Sequence, residues 1–285
     1  MNIFEAILLG IVQGLTEFLP VSSSGHLVLL QRIFGIQEPS LLFDTMLHAG
    51  TLLAVIVVLW KDIWQIIKKP IQKLTGLLIV ATIPAVIAAL TFKDVIEDLF
   101  ISARFLGICF LITACLLTAA EILSKHAVKK YKPETNQEPE EQQTSHSGAK
   151  GMSWLNALFI GIMQAIAIPP GVSRSGAVIS GALFCKIERD FAARFAFLMS
   201  IPAILGALVF QVRDLFRGSE VIVTEAGIGT AAIITGTVTA AVVGFFAVKF
   251  MLKIIREKSL LGFAVYTGAL GIIIIFDQLV TRLVF

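Results

Sequence analysis

Arg174 stands in the stretch Pro169-Pro170-Gly171-Val172-Ser173-Arg174-Ser175-Gly176, with long apolar runs on both sides. An ionisable side chain carried into such surroundings is costly and usually functional. A guanidinium beside hydroxyls and free backbone N–H groups at a helix start suits the oxygens of a phosphate, with Ser173, Ser175 and Gly176 as its neighbours in that task. The plainer alternative has Arg174 capping the carbonyls of its own hairpin. A second set of chemistry-bearing residues stands at Pro20-Val21-Ser22-Ser23-Ser24-Gly25-His26. His26 can serve as nucleophile or general base at neutral pH, and a serine within its reach, Ser23 above all, can be activated by it. Ser22 and Ser24 add phosphate-binding hydroxyls. Gln13 and Glu17 are four residues apart and share one helix face beside this break. A carboxylate there can hold a divalent cation shared with a diphosphate, act as general acid or base, or accept the hydrogen bonds that hold the hairpin together. Asp44 and His48 repeat the four-residue spacing, with interfacial solvation sufficient for Asp44 and the wall of a cavity open to His48.

The elements that position these groups are set by composition. The chain has 285 residues, 56% hydrophobic and 15% charged, with a mean hydropathy of +0.88. That is too little polar surface for a soluble domain, and the apolar runs are too long and lack the alternation of barrel strands. An all-α polytopic membrane protein is expected. Six stretches approach the roughly 20 residues a spanning helix needs: 41–60, 74–92, 105–120, 195–212, 226–248 and 259–276. The polar stretch 124–151 reads as a solvated linker between a first half, 1–123, and a second, 152–285. Cys109, Cys115 and Cys185 have no ligand-like spacing and read as packing residues. A formal charge of +3, spread through short loops, gives no nucleic-acid footprint.

Both chemistry-bearing stretches interrupt apolar helices with proline and glycine, and they are related to each other. An offset of 151 residues places Ala6 on Ala157, Gly10 on Gly161, Gln13 on Gln164, Ser22 on Ser173, Ser24 on Ser175 and Gly25 on Gly176. The chain is read as a duplication of one unit, a re-entrant helix-loop-helix hairpin followed by three spans. Three crossings per unit invert the second unit in the membrane, and matched breaks point to a site where the repeats meet. Charge supports that topology: 16 of the 23 Lys and Arg residues fall on the side holding loop 61–73, the linker, the turn after the second hairpin and loop 249–258, against six on the other. The linker is therefore expected in the cytoplasm, with both termini and the opening of the site extracytoplasmic.

The stretches Gln13-Gly14-Leu15-Thr16-Glu17-Phe18-Leu19-Pro20-Val21-Ser22-Ser23-Ser24-Gly25-His26 and Pro170-Gly171-Val172-Ser173-Arg174-Ser175-Gly176 resemble the two signature motifs of the bacterial undecaprenyl-diphosphate phosphatase family, of the bacitracin-resistance BacA/UppP type. The resemblance extends over essentially the whole chain. It implies hydrolysis of undecaprenyl diphosphate to undecaprenyl phosphate and inorganic phosphate, recycling a carrier lipid for peptidoglycan synthesis and countering bacitracin. It further implies a plasma-membrane location, a polyprenyl diphosphate lipid as partner, and a divalent cation such as Mg or Ca at Glu17 and Gln13, with no organic cofactor. The glutamine at position 13 weakens a two-carboxylate metal site, and Val178 stands where the family usually carries threonine. The nucleophile stays open among His26, a serine and water. Association of copies of the chain stays open too. Broken hairpins in inverted repeats also build secondary transporters and flippases, which is the competing reading.

Overall fold

The computed structural model describes residues 1–36, 41–129, 148–216 and 229–285. Their regular structure is helical throughout: α1 (Ile3–Thr16), α2 (Ser23–Ile33), α3 (Leu41–Val58), α4 (Trp60–Lys68), α5 (Lys73–Thr91), α6 (Lys93–Ser102), α7 (Leu106–Lys129), α8 (Gly148–Gly151), α9 (Trp154–Ile166), α10 (Arg174–Phe184), α11 (Arg189–Phe216), α12 (Thr230–Glu257) and α13 (Leu261–Phe276), closed by a π-helical turn at Asp277–Thr281. The protein is an all-α polytopic membrane protein. Among the described residues five helices, α5, α7, α11, α12 and α13, are long and apolar enough to cross by themselves, and α3 joined to α4 makes a sixth crossing candidate.

Helix α12 is built for surroundings of lipid rather than water. Val238, Val242, Phe246 and Phe250 form an exposed large apolar stripe at four-residue spacing, while the buried side carries Gly236, Ala240, Gly244 and Ala247. Lipid tails give large side chains no reason to hide, so helices associate through small residues that let backbones touch. A Cβ on Gly10 of α1 would lie 2.6 Å from the Gly236 carbonyl oxygen, and one on Gly50 of α3 would lie 2.3 Å from that of Thr237. Thus α12 is sandwiched between α1 and α3. The same contact recurs with the halves exchanged, α9 lying on α5 with the position of a Gly161 Cβ 2.4 Å from the Ala81 carbonyl oxygen. In each case the leading helix of one half's hairpin is clasped by the second span of the other half. Helices α7 and α13 pair across Gly107 and Gly271.

Three expectations are corrected. Stretch 41–60 is not one straight span: its axis turns by 79° after Val58, and Trp60 opens α4. The linker is shorter than 124–151, since α7 continues through Lys129 and α8 begins at Gly148. Most of the expected linker, together with the expected sites of Arg217 and the start of stretch 226–248, lies outside the described residues. Finally, Cys109 and the half-buried Cys185 pack against hydrophobic clusters as expected, whereas Cys115 is exposed on α7.

Candidate active site

The arms after the two breaks, α2 and α10, are 11 residues each, about 16 Å at 1.5 Å per residue and so roughly half the hydrocarbon thickness. Each therefore starts inside the protein. The starts use one device at repeat-related positions: Ser22 Oγ accepts from the Gly25 N–H at 3.3 Å, and Ser173 Oγ from the Gly176 N–H at 3.0 Å. A serine at the N-cap satisfies one of the orphan donors of the first turn. The breaks are consequently tighter than the sequence suggests, because Ser23, Ser24, Gly25 and His26 already belong to α2, and Arg174 opens α10.

The two breaks also hold each other. The Gly171 N–H donates to Ser22 Oγ at 3.1 Å, and Ser175 Oγ donates to the Leu19 carbonyl at 3.0 Å. A Cβ on Gly25 would come within 2.8 Å of Gly171 Cα, so glycine is what lets these backbones meet. Ser22 itself is held at φ 72°, a left-handed conformation that costs a non-glycine residue energy and persists only where its surroundings impose it. Thr113 of α7 fastens the second break, its Oγ1 donating to the Gly171 carbonyl at 3.0 Å and accepting from the Ser173 N–H at 2.9 Å.

This junction brings the positive ends of two helices together around one carboxylate. Glu17, with its side chain 1% exposed, is ion-paired through Oε1 to Arg174 Nη2. Its Oε2 accepts from Ser23 Oγ at 2.5 Å and from Gln13 Nε2 at 2.9 Å, and lies 3.3 Å from His48 Nδ1. Gln13 Nε2 is also 2.8 Å from His48 Nδ1. Gln31 donates to Asp44 at 2.7 Å, one turn before His48 on α3, extending the polar track away from the junction. Arg174 therefore reaches across to the other half's carboxylate rather than to its own hairpin's carbonyls. The first hairpin's repeat partner has kept Gln164 but carries Ile168 in the place of Glu17, and both amide atoms of the buried Gln164 lack a hydrogen-bond partner among the described residues. Of the two repeat-related positions, 17 and 168, one carries a charge.

His26 is near the junction without joining it. Its Nδ1 faces the Ser22 carbonyl at 2.6 Å and its Nε2 the Tyr266 hydroxyl of α13 at 2.7 Å. A carbonyl only accepts, so Nδ1 carries the proton and Nε2 of the neutral ring accepts from Tyr266. The rings of His26 and Tyr266 are stacked with centroids 5.7 Å apart, and Phe110 packs edge-on against the imidazole. The hydrogen-bond partner of Ser23 is Glu17, not the expected His26. Ser24 Oγ lies 3.5 Å from Ser22 Oγ, and Ser173 and Ser175 share a hydrogen bond at 3.2 Å. Val178 packs in the hydrophobic core.

Sequence reasoning passed over Thr113 and Tyr266. Neither carries a motif, and each reaches its break only because a distant span packs there. The donors at Glu17 do not fit a divalent cation held by the protein alone: both carboxylate oxygens are engaged, a guanidinium sits against one of them, and Gln13 adds at most its Oε1, buried and without a hydrogen-bond partner among the described residues. Among the described residues no three His, Cys, Asp or Glu side chains are grouped to hold a metal.

The chain matches the family described as bacitracin resistance protein BacA over residues 6–273. It is 44% identical to an undecaprenyl-diphosphatase of Carboxydothermus hydrogenoformans, with 98% of each chain covered. Undecaprenyl-diphosphatase 4 of Bacillus thuringiensis is 42% identical, covering 96% of this chain and 97% of that protein, and an undecaprenyl-diphosphatase of Halothermothrix orenii is 41% identical over 96% and 98%.

Proposed function

The chain belongs to the bacitracin resistance protein BacA family, and from that membership together with the junction around Glu17 we infer its activity. It is an integral membrane phosphatase that hydrolyses undecaprenyl diphosphate to undecaprenyl phosphate and inorganic phosphate, returning the carrier lipid to peptidoglycan synthesis and so conferring resistance to bacitracin. The observation that carries the reading is the set Ser23 Oγ, Glu17 and Arg174, a hydroxyl bonded to a buried carboxylate that is itself paired to a guanidinium. A carrier built from the same broken hairpins would have no use for a hydroxyl aligned on a base.

Glu17 occupies the place where an anion belongs, between two helix N-termini. The terminal phosphoryl group of the substrate takes over Arg174, the N–H groups at the starts of α2 and α10, and the hydroxyls of Ser22, Ser24, Ser173 and Ser175. Released from the guanidinium, Glu17 keeps its hydrogen bond from Ser23. As Ser23 Oγ bonds to the terminal phosphorus, its proton passes to Glu17, and the bridging P–O bond breaks with its electron pair leaving on undecaprenyl phosphate. Arg174 and the N–H groups neutralise charge that spreads over the phosphoryl oxygens, which is the main route to rate in phosphoryl transfer. Water then attacks the seryl phosphate, one of its protons passing to Ser23 Oγ as the serine P–O bond breaks; inorganic phosphate departs, and Glu17 gives the proton it took from Ser23 to solvent, which restores the carboxylate. His26, held by Ser22 and Tyr266, is the wall of the pocket on the α13 side.

Reciprocal packing of α1 on α12 and α9 on α5 supports the inverted repeat, and the charge asymmetry supports a site opening to the cell exterior with a cytoplasmic linker. In a cysteine-free background, a cysteine at Gly35 is expected to react with an impermeant maleimide added outside intact cells, and one at Ile71 to react only after the cells are opened. The reverse pattern sinks this orientation. The activity itself is tested by phosphate release from undecaprenyl diphosphate by purified wild type and Ser23→Ala: turnover by wild type, lost in the variant, is expected, and full turnover by Ser23→Ala contradicts the assignment of the nucleophile.

A further inference from the structure

Among the described residues none covers the apolar edge of helix α4. None of its residues is buried, although it continues directly from α3. Trp60, Trp64 and Ile67 line one edge at positions i, i+4 and i+7, each about half exposed, and Ile71 beyond the helix end is 100% exposed. The other edge is basic, with Lys61, Lys68 and Lys69 exposed. Asp62, the one acidic residue on α4, is turned inward to Arg194 of α11 at 3.3 Å, which ties the helix to the body and takes the carboxylate away from the lysines. The two indoles stack with centroids 5.6 Å apart, and the Lys68 ammonium lies 5.3 Å from the Trp64 ring centre. Tryptophan and lysine therefore sit at one depth.

A short amphipathic helix turned by 79° out of a span lies in the plane of the bilayer surface, its apolar edge among the upper acyl carbons and its lysines at headgroup level. Tryptophan prefers that same depth. The contrast with α6 shows that an unburied connecting helix in this protein is not basic by default. Helix α6 is also without buried residues, but it carries Asp94, Glu97 and Asp98 against Lys93, which pairs with Glu97 at 3.6 Å.

We propose that α4, with Lys61, Lys68 and Lys69, is a binding surface for anionic phospholipid headgroups of the phosphatidylglycerol type. The phosphodiester of the lipid meets the ammonium groups while its acyl chains cover Trp60, Trp64, Ile67 and Ile71. Each lysine near an anionic surface raises local preference about fivefold, so three of them give a selection large enough to read. This surface lies apart from the Glu17 junction and does not depend on the catalytic reading.

The test uses the full chain with Trp154→Phe, which leaves Trp60 and Trp64 as the only tryptophans. Reconstituted in phosphatidylcholine containing a minor fraction of chain-brominated lipid, its fluorescence should be quenched at least threefold more strongly by brominated phosphatidylglycerol than by brominated phosphatidylcholine. The exposed triple change Lys61→Gln, Lys68→Gln and Lys69→Gln should bring the two lipids level with an unchanged melting temperature. Equal quenching by both lipids in the unaltered lysine background, or a preference that survives the triple change, overturns the proposal.

Discussion

Replacing Glu17 by glutamine separates the two tasks given to its carboxylate. The substitution preserves shape but turns one of the two oxygens into an NH2 group. If that group faces Arg174, donor meets donor and the pair is lost. If it faces Ser23, the hydroxyl has no base to receive its proton. Loss of a positioned general base costs about 10²–10⁴-fold in rate. Arg174, relieved of its partner, is left more available to the substrate, so KM should stay level or fall while kcat drops. That split distinguishes loss of a base from loss of a binding group, which would raise KM. Removing one member of a fully buried ion pair costs about 3–5 kcal/mol of stability. With Glu17 1% exposed but Arg174 25% exposed, solvent at the guanidinium should bring the loss to roughly 1–3 kcal/mol, since partly exposed pairs are screened. Steady-state phosphate release in detergent, paired with a thermal melt, reads both quantities. A folded Glu17→Gln protein with kcat within threefold of wild type would refute the assignment of Glu17 as base.

Tyr266→Phe keeps the stacking on His26 but removes the hydroxyl from Nε2; one such hydrogen bond is worth about 1 kcal/mol of stability, so the melting temperature should fall slightly while turnover stays near wild type, and a large loss of turnover in the folded variant would give the imidazole a chemical role. Gly25→Ala puts a Cβ 2.7 Å from Phe110 Cζ and 2.8 Å from Gly171 Cα, and overpacking of this kind costs about 1–3 kcal/mol; a clear fall in melting temperature is expected, and an unchanged one would mean the breaks are not in contact. Glu121, 2% exposed, accepts from Arg189 at 2.5 Å and from the Leu260 N–H at 3.2 Å. Glu121→Ala should lower the melting temperature and leave turnover per folded molecule intact, so that a change in KM would place this cluster in the site instead.

Much of the architecture was legible because lipid imposes simple demands. Long uncharged stretches had to be helices, and proline and glycine at matched positions marked both breaks. The bend after Val58 left no such mark, since neither proline nor glycine stands there; what changes is the pattern, from apolar on all sides in α3 to two-faced in α4. Glu17 and Arg174 were each recognised as costly residues in an apolar setting, yet their pairing was not, because it needs the two breaks placed face to face. Ser23 was expected to be the serine partnered by His26. Two contacts redirect both residues: Ser23 donates to Glu17, and Tyr266, 240 residues away, takes the imidazole. Local spacing cannot report a partner supplied by another span. The exchange of clasping helices between halves is hidden for the same reason, although Gly10 and Gly161 were already matched as repeat positions.

The most direct test of the central claim is single-turnover phosphate release from undecaprenyl diphosphate by the purified wild-type protein and by Arg174→Ala, both verified as folded. Release by wild type and a loss of several orders of magnitude in the variant are expected if the guanidinium carries transition-state charge at the junction of the two hairpins. Near-normal release by Arg174→Ala would contradict it.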